Sequence, residues 1–479
     1  MIRQSAGTTC SFHLRPVFTI ESTVYETINC FFATEERISM PKKPNRRTFI
    51  QTSAAGAGVG YWAAGGVSLA QSKSPNEKIQ FASIGVGGKG RSDSADAGRS
   101  GQMVAICDVD AKTLEQAQRG FKDAAPFRDY RRMLDEMGDK VDAVTVSTPD
   151  HNHAPAAVMA MKMGKHCFCQ KPLSQSIYEA RIMGQVAKEQ GVQTMMGNQG
   201  TALSSLRESV AVIKTGVLGT IKECHVWTNR PVWPQGKERT TEVPGNPNEL
   251  HWDEWIGPAP YRPYSPDYHS FKWRGWWDFG TGALGDMACH TMNMPYMALQ
   301  LRDPKSVVAK TSGHNKDSYP AWSIINFDFP ALGDRGPIAF NWYDGGKKPD
   351  ESLFQGKKQV NSGCLVVGDK GTLYSKGDYG DAFELLGGIE TPKNLEFEKS
   401  PGHFQEWIRA IKTGQTATSN FPNYAGPLTE TLLLGNLAVY AAAEGEGKKI
   451  EWDAETMTPT NAPELASIVK REYRDGYTL

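Results

Sequence analysis

Lys78-Ile79-Gln80-Phe81-Ala82-Ser83-Ile84-Gly85-Val86-Gly87-Gly88-Lys89-Gly90 joins a short apolar run to a glycine-rich turn, and a helix-like segment follows at once. A run of this length suits a buried parallel strand. In the turn, Gly85 permits the tight bend, Gly87 lets backbone N–H groups approach a pyrophosphate, and Gly90 allows the helix to pack closely on the strand. Val86, Gly88 and Lys89 complete the segment and are expected to line the same ligand. Such a motif is weak alone. It gains weight from the next strand, predicted over 102–107 and ending in Asp108, eighteen residues past Gly90. A carboxylate there would accept a hydrogen bond from an adenosine ribose and repel a 2′-phosphate, so NAD is expected in preference to NADP.

Outward from this turn the alternation continues, with strands predicted over 141–147, 166–168 and 192–196 and helices over 154–163 and 175–190. This is a doubly wound α/β pattern, read as a dinucleotide-binding domain over 75–198. The segments Thr148-Pro149-Asp150-His151-Asn152-His153 and Gln170-Lys171-Pro172 each follow a strand, at the carboxyl edge where such sheets bind ligands. Thr148, Pro149, Asp150, His153, Gln170, Lys171 and Asn198 are therefore expected to touch the cofactor, whereas His151 reads as solvent-facing.

Beyond Asn198 the pattern changes to long loops and antiparallel strands, predicted over 220–229, 305–311, 322–327, 337–342 and 363–367, and residues 199–479 read as a second domain. Within it, Asp286 and His290 stand four apart and share one face of a helix. Upstream lie Trp273, Arg274, Trp276 and Trp277. Aromatic faces suit the C–H faces of sugars and an arginine can bond hydroxyls or a carboxylate, although each tryptophan taken singly is more readily a core residue. An Asp/His pair is also half of a metal site, but no third and fourth ligand stand at a convincing spacing, so no metal is expected.

The Gly-rich turn, the Thr-Pro-Asp turn with its following His153, the Gln-Lys-Pro turn and the Asp-x-x-x-His spacing, in this order, resemble the glucose-fructose oxidoreductase / inositol dehydrogenase (Gfo/Idh/MocA) family over residues 77–450. The resemblance implies an N-terminal Rossmann domain, a C-terminal α+β domain with an open, mostly antiparallel sheet, a homo-oligomer, and a catalytic set of Lys171, Asp286 and His290. Chemically, oxidising a secondary alcohol requires its proton to leave, and His290, with an ordinary pKa near neutrality, is the expected base. Asp286 would orient it or the substrate hydroxyl, and Lys171 would stabilise charge on the reacting oxygen. Two positions depart from the family pattern: Asp150 stands for Asn and Gln170 for Glu, which removes a charge beside Lys171.

Across 479 residues, Lys plus Arg and Asp plus Glu balance at 53 each, so no basic field exists to hold nucleic acid or an anionic membrane. The eight cysteines show no paired spacing and read as small buried residues. Asn45-Arg46-Arg47-Thr48-Phe49-Ile50, followed by an Ala/Gly-rich stretch over 54–70, resembles a twin-arginine export signal. The expected signal spans 40–70, with Met40 as its start, residues 1–39 as a mis-called extension and cleavage before Gln71. The expected partners are thus the twin-arginine (Tat) export machinery and a small sugar or polyol, the expected location is periplasmic, and no membrane span is expected in the mature chain. Because free nicotinamide nucleotide is cytoplasmic, an exported enzyme is expected to hold its NAD tightly and recycle it. Sugar-to-sugar hydride transfer would do this, and so would a redox-neutral oxidation–elimination–reduction that cleaves a glycoside. A non-catalytic sugar or nucleotide sensor is the remaining alternative.

Overall fold

The glycine-rich turn sits at the carboxyl end of β1 (Gln80–Ile84), the central strand of a six-stranded parallel sheet in a computed structural model that describes residues 78–239, 244–247 and 249–479. The expectations that fall on Met40, on 45–50 and on 54–70 lie outside the described residues. The other strands are β2 (Gln102–Cys107), β3 (Ala125–Phe127), β4 (Ala143–Val146), β5 (His166–Cys169) and β6 (Thr194–Met196), in spatial order β3-β2-β1-β4-β5-β6. The order reverses between β1 and β4, which opens a crevice at their carboxyl ends. Both faces of β4 are covered, which is why Ala-Val-Thr-Val reads as a continuous run. Its one hydroxyl is satisfied internally: Thr145 donates to Ser83 Oγ at 2.7 Å.

Five helices cover the sheet: α1 (Gly88–Ser100), α2 (Ala111–Gly120), α3 (Tyr130–Met137), α4 (His153–Lys162) and α5 (Ile177–Glu189). The start of α5 is set by a capping box in which Ser176 and Glu179 bond each other's backbone N–H.

The second sheet has nine strands: β7 (Ile221–Trp227), β8 (Ser306–Thr311), β9 (Ser323–Phe329), β10 (Ile338–Tyr343), β11 (Gly363–Gly368), β12 (Thr372–Lys376), β13 (Ala382–Leu386), β14 (Ile450–Asp453) and β15 (Thr458–Pro459). Its order is β13-β12-β11-β7-β10-β9-β8-β14-β15, antiparallel throughout except where β7 meets β10. Along β9, Ser323, Ile325, Phe327 and Phe329 are buried while Ile324, Asn326 and Asp328 are not, the period-2 signature of a sheet with one covered face.

The helices of this second part are α6 (Ser204–Lys214), α7 (Trp252–Ile256), α8 (Gly282–Thr291), α9 (Asn293–Leu299), α10 (His403–Thr413), α11 (Gly426–Ala441) and α12 (Ala466–Val469). Mostly apolar and mostly buried, α11 lies between α5 on one side and α8, β8 and β9 on the other. By contrast α10 returns to the parallel sheet, where Phe404, Trp407 and Ile408 pack with Phe81, Phe168 and Met195. The break at residue 198 thus divides the chain in sequence, while packing interleaves its two parts. Residues 249–279 form a separate aromatic core in which Trp252 and Trp255 stack at 4.6 Å beside Tyr268, Trp276 and Phe279. No described helix is long and apolar enough to cross a membrane.

Candidate active site

At the start of α1 no acidic residue occupies the first turn and no side chain caps Gly87, so several backbone N–H groups point into the crevice. Gly88 has φ of +48° with nothing within 4 Å of where a Cβ would stand, whereas a Cβ on Gly90 would lie 2.0 Å from Gly85 O. The turn is therefore open on the ligand side and closed on the protein side, as backbone approach to a pyrophosphate requires. The Asp108 carboxylate accepts the Val86 N–H and the Asp110 N–H, both at 3.0 Å, which fixes it beneath the turn. Burial raises its carboxyl pKa despite these bonds. Asn198 is fully buried at the end of β6; its Oδ1 accepts from Ser419 at 2.7 Å, and its Nδ2 has no partner among the described residues. A buried orphan donor and an open helix start both fit a dinucleotide.

His153 bridges the two turns at the sheet's edge, its ring nitrogens 2.8 Å from Thr148 O and 2.8 Å from Pro172 O. The second turn carries Lys171 into contact with α8, where its Nζ donates to the Asp286 carboxylate at 2.7 Å and to the Asp286 carbonyl at 3.0 Å. Arg274 Nε lies 3.2 Å from the same carboxylate. Burial would raise the Asp286 carboxyl, but Lys171 and Arg274 outweigh it and hold the group well below the usual carboxylate range.

One helical turn on, the His290 ring packs edge-on against Tyr379 with centroids 4.8 Å apart, and its Nδ1 is buried without a partner among the described residues. Asp286 therefore binds Lys171 and Arg274 and acts on His290 only through its charge. Nor does His290 titrate near neutrality, because burial first and Lys171 second push it well below the ordinary histidine value. Among the described residues no group of three or more His, Cys, Asp or Glu is placed to hold a metal ion.

Residues 79–198 match the oxidoreductase family with an NAD-binding Rossmann fold, and residues 205–479 match the C-terminal alpha/beta domain of that family. The chain belongs to the Gfo/Idh/MocA oxidoreductase family. It is 25% identical over 189 residues to levoglucosan dehydrogenase of Pseudarthrobacter phenanthrenivorans, 40% of each chain. It is 33% identical over 161 residues to a glycosyl hydrolase family 109 protein of Saccharopolyspora erythraea, 28% of this chain and 35% of that one. These matches thus span about two-fifths or less of the relatives' own length. The fold is shared with the WlbA dehydrogenase of Bordetella pertussis, solved with NADH and UDP-GlcNAcA, at a TM-score of 0.56 and 19% identity, over 79% of this chain and 99% of that one.

Both departures from the Gfo/Idh/MocA pattern have a charge partner. Asp150, 1% exposed, receives Arg274 Nη1 on both oxygens at 3.1 and 2.9 Å and the Thr281 hydroxyl at 2.6 Å. The charge removed at Gln170 is present next door: buried Asp93 accepts the Gln170 amide at 2.8 Å and the Ser147 hydroxyl at 2.8 Å and pairs with Lys89. Lys89 is thereby directed along α1 toward Asp93, with its side chain still half exposed.

The four residues expected to meet substrate separate. Trp273 and Arg274 stay together beside Asp286, the guanidinium lying 4.3 Å from the Trp273 ring centroid. Trp276 does not belong to the cleft: it is 2% exposed in the aromatic core and its indole N–H donates to Asp267 O at 2.8 Å. Trp277 stacks on Tyr319 at 3.7 Å and meets Tyr440 edge-on, against the main core. His151 is also buried, its ring nitrogens 3.1 Å from Phe279 O and 2.8 Å from Trp255 O, so it anchors the aromatic core to the sheet's edge and does not face solvent. Asp93, Tyr379 and Thr281 were missed, since no local pattern brings them to the site.

Proposed function

We propose that this chain is an exported, NAD-dependent oxidoreductase that acts on a secondary hydroxyl of a sugar, glycoside or polyol. The observation that carries the reading is the convergence of Lys171, Asp286 and His290 opposite the open glycine-rich turn. Lys171, held by Asp286, donates a hydrogen bond to the reacting oxygen and stabilises the negative charge that develops there. His290, kept neutral by its surroundings, takes the hydroxyl proton. Bound NAD supplies the hydride acceptor. Asp108 favours NAD over NADP, and Asn198 offers its spare amide N–H to the cofactor. The family and the dehydrogenase relative support this reading.

A second reading, redox-neutral cleavage of a glycoside through oxidation, elimination and re-reduction, is favoured by the likeness to a glycosyl hydrolase family 109 protein. It agrees with the twin-arginine pattern, since an exported enzyme would gain from retaining its NAD. Mass spectrometry of nucleotide released from the denatured, purified protein, followed by absorbance at the NADH band with sugars and glycosides added, tests both. Stoichiometric NAD(H) that survives dialysis, with aglycone release and no NADH accumulation, identifies the redox-neutral route. Steady NADH formation from added NAD identifies an ordinary dehydrogenase, and neither signal with any sugar refutes the proposal.

A further inference from the structure

Among the described residues, the cations beside Asp286 and Tyr379 each have a carboxylate. Lys171 is paired with Asp286 at 2.7 Å, and Arg274 with Asp150 at 2.9 Å and with Asp286 at 3.2 Å. Beside Tyr379, Arg230 faces Asp378 at 4.0 Å. Three cations therefore meet three carboxylates, and His290 adds no positive charge. The pairs are shielded: the side chains of Lys171 and Arg274 are 16% and 13% exposed, and the Trp273 ring lies 4.3 Å from the guanidinium.

A substrate carboxylate or phosphate brought into contact with this group would lose its water beside Asp286 and Asp150 and find no unpaired cation among these described residues. Taking a cation from an existing pair would leave a buried carboxylate uncompensated, which is the costly way to break a buried ion pair. A hydroxyl meets no such obstacle, because it both donates and accepts.

We propose that the ring bound against Lys171 is an uncharged sugar or polyol, bearing neither carboxylate nor phosphate, and that Asp150 enforces this by occupying Arg274. The proposal rests on the reading of this cleft as a sugar oxidoreductase site. It assigns Asp150 a part in specificity through exclusion of the wrong charge.

Isothermal titration of the purified holoprotein with matched pairs tests it: glucose against glucuronate and glucose 6-phosphate, galactose against galacturonate, mannose against mannuronate. The neutral member is expected to bind at least about ten-fold more tightly, and Asp150→Asn, which frees Arg274, is expected to narrow that ratio at least about ten-fold. Should Asp150→Asn not fold, Asp378→Asn, which frees Arg230, carries the same expectation. Equal or tighter binding of the anion by the unmodified protein overturns the proposal, as does an unchanged ratio in a folded variant. NADH absorbance on the same samples separates the two readings. An anion that binds and is oxidised overturns the charge assignment alone, whereas neutral sugars that bind without hydride transfer support it and overturn the oxidoreductase reading. If no sugar binds, both fall.

Discussion

The Gln170 amide N–H donates to Asp93 at 2.8 Å, and the oxygen of the same amide accepts the Lys171 N–H at 3.3 Å, so side chain 170 hangs between a buried carboxylate and the residue proposed to stabilise the reacting oxygen. Gln170→Glu would set two carboxylates together and should cost about 3 kcal/mol in chemical denaturation, most of it recovered in Asp93→Asn/Gln170→Glu. A single variant as stable as the parent would show that Asp93 does not constrain position 170. Lys171→Ala should lower kcat by about 10²–10³ with NAD still bound. For His290 the sign follows from its depressed pKa: the neutral, proton-accepting form persists well below the ordinary histidine value, so no limb from this group is expected in kcat/KM between pH 6.5 and 8. A limb centred in that range and abolished by His290→Asn would contradict the reading. Lys171 and the Asp286/His290 spacing were legible in the sequence because turn and helix motifs are local. The compensating partners were not, because Asp93 and Gln170 are 77 residues apart and Asp150 and Arg274 are 124 apart.

Among the elements, those with a strong local signal stand where the pattern put them, and the exceptions have physical causes. Helix α5 begins at Ile177, inside the predicted 175–190, because Ser176 caps it. Strands β12 and β13 escaped for want of alternation: β12 has four of its five residues buried in one run, and β13 is an edge strand with one of its five residues buried. The short pair β14 and β15, four and two residues long, is too brief for the alternation of Ile450-Glu451-Trp452-Asp453 to stand out. The glycine-rich turn makes a sharper test of element geometry. Gly90→Ala would place a methyl 2.0 Å from Gly85 O, so the turn must shift, with about 1–3 kcal/mol lost in stability and NAD content reduced. Gly88→Ala meets open space and carries only the strain of its positive φ, about 1–2 kcal/mol, so it should melt above Gly90→Ala. The reverse order of melting temperatures would mean that α1 does not depend on close approach to β1.

Across the whole molecule, the two parts are joined at seams that contain buried neutral histidines. His403 on α10 lies 2.8 Å from Met196 O at the end of β6, and His151 ties the aromatic core to the edge of the parallel sheet. Burial pushes His151 down to about 3 and His403 and His166 to about 4, and lowers His153 and His290 as well. In the unfolded chain each would titrate near about 6.5, so the unfolded state binds more protons than the folded one below that pH. Their contribution is complete above pH 6.5 and is lost as pH falls toward the folded values, at up to about 1.4 kcal/mol per pH unit for each histidine. Three carboxyls raised by burial act in the opposite sense: Asp344, which burial raises to about 6, Asp108 and Glu430 favour the folded state as pH falls through the same range. Five histidines against three carboxylates leave a net loss, so unfolding free energy from urea titrations should drop steadily from pH 6.5 to 4.5. His403→Gln should flatten that slope by removing one titrating group from the seam between α10 and β6. A slope near zero in the parent protein would mean that these histidines are charged or reach water in the folded state, and the dry seams described here would then be wrong.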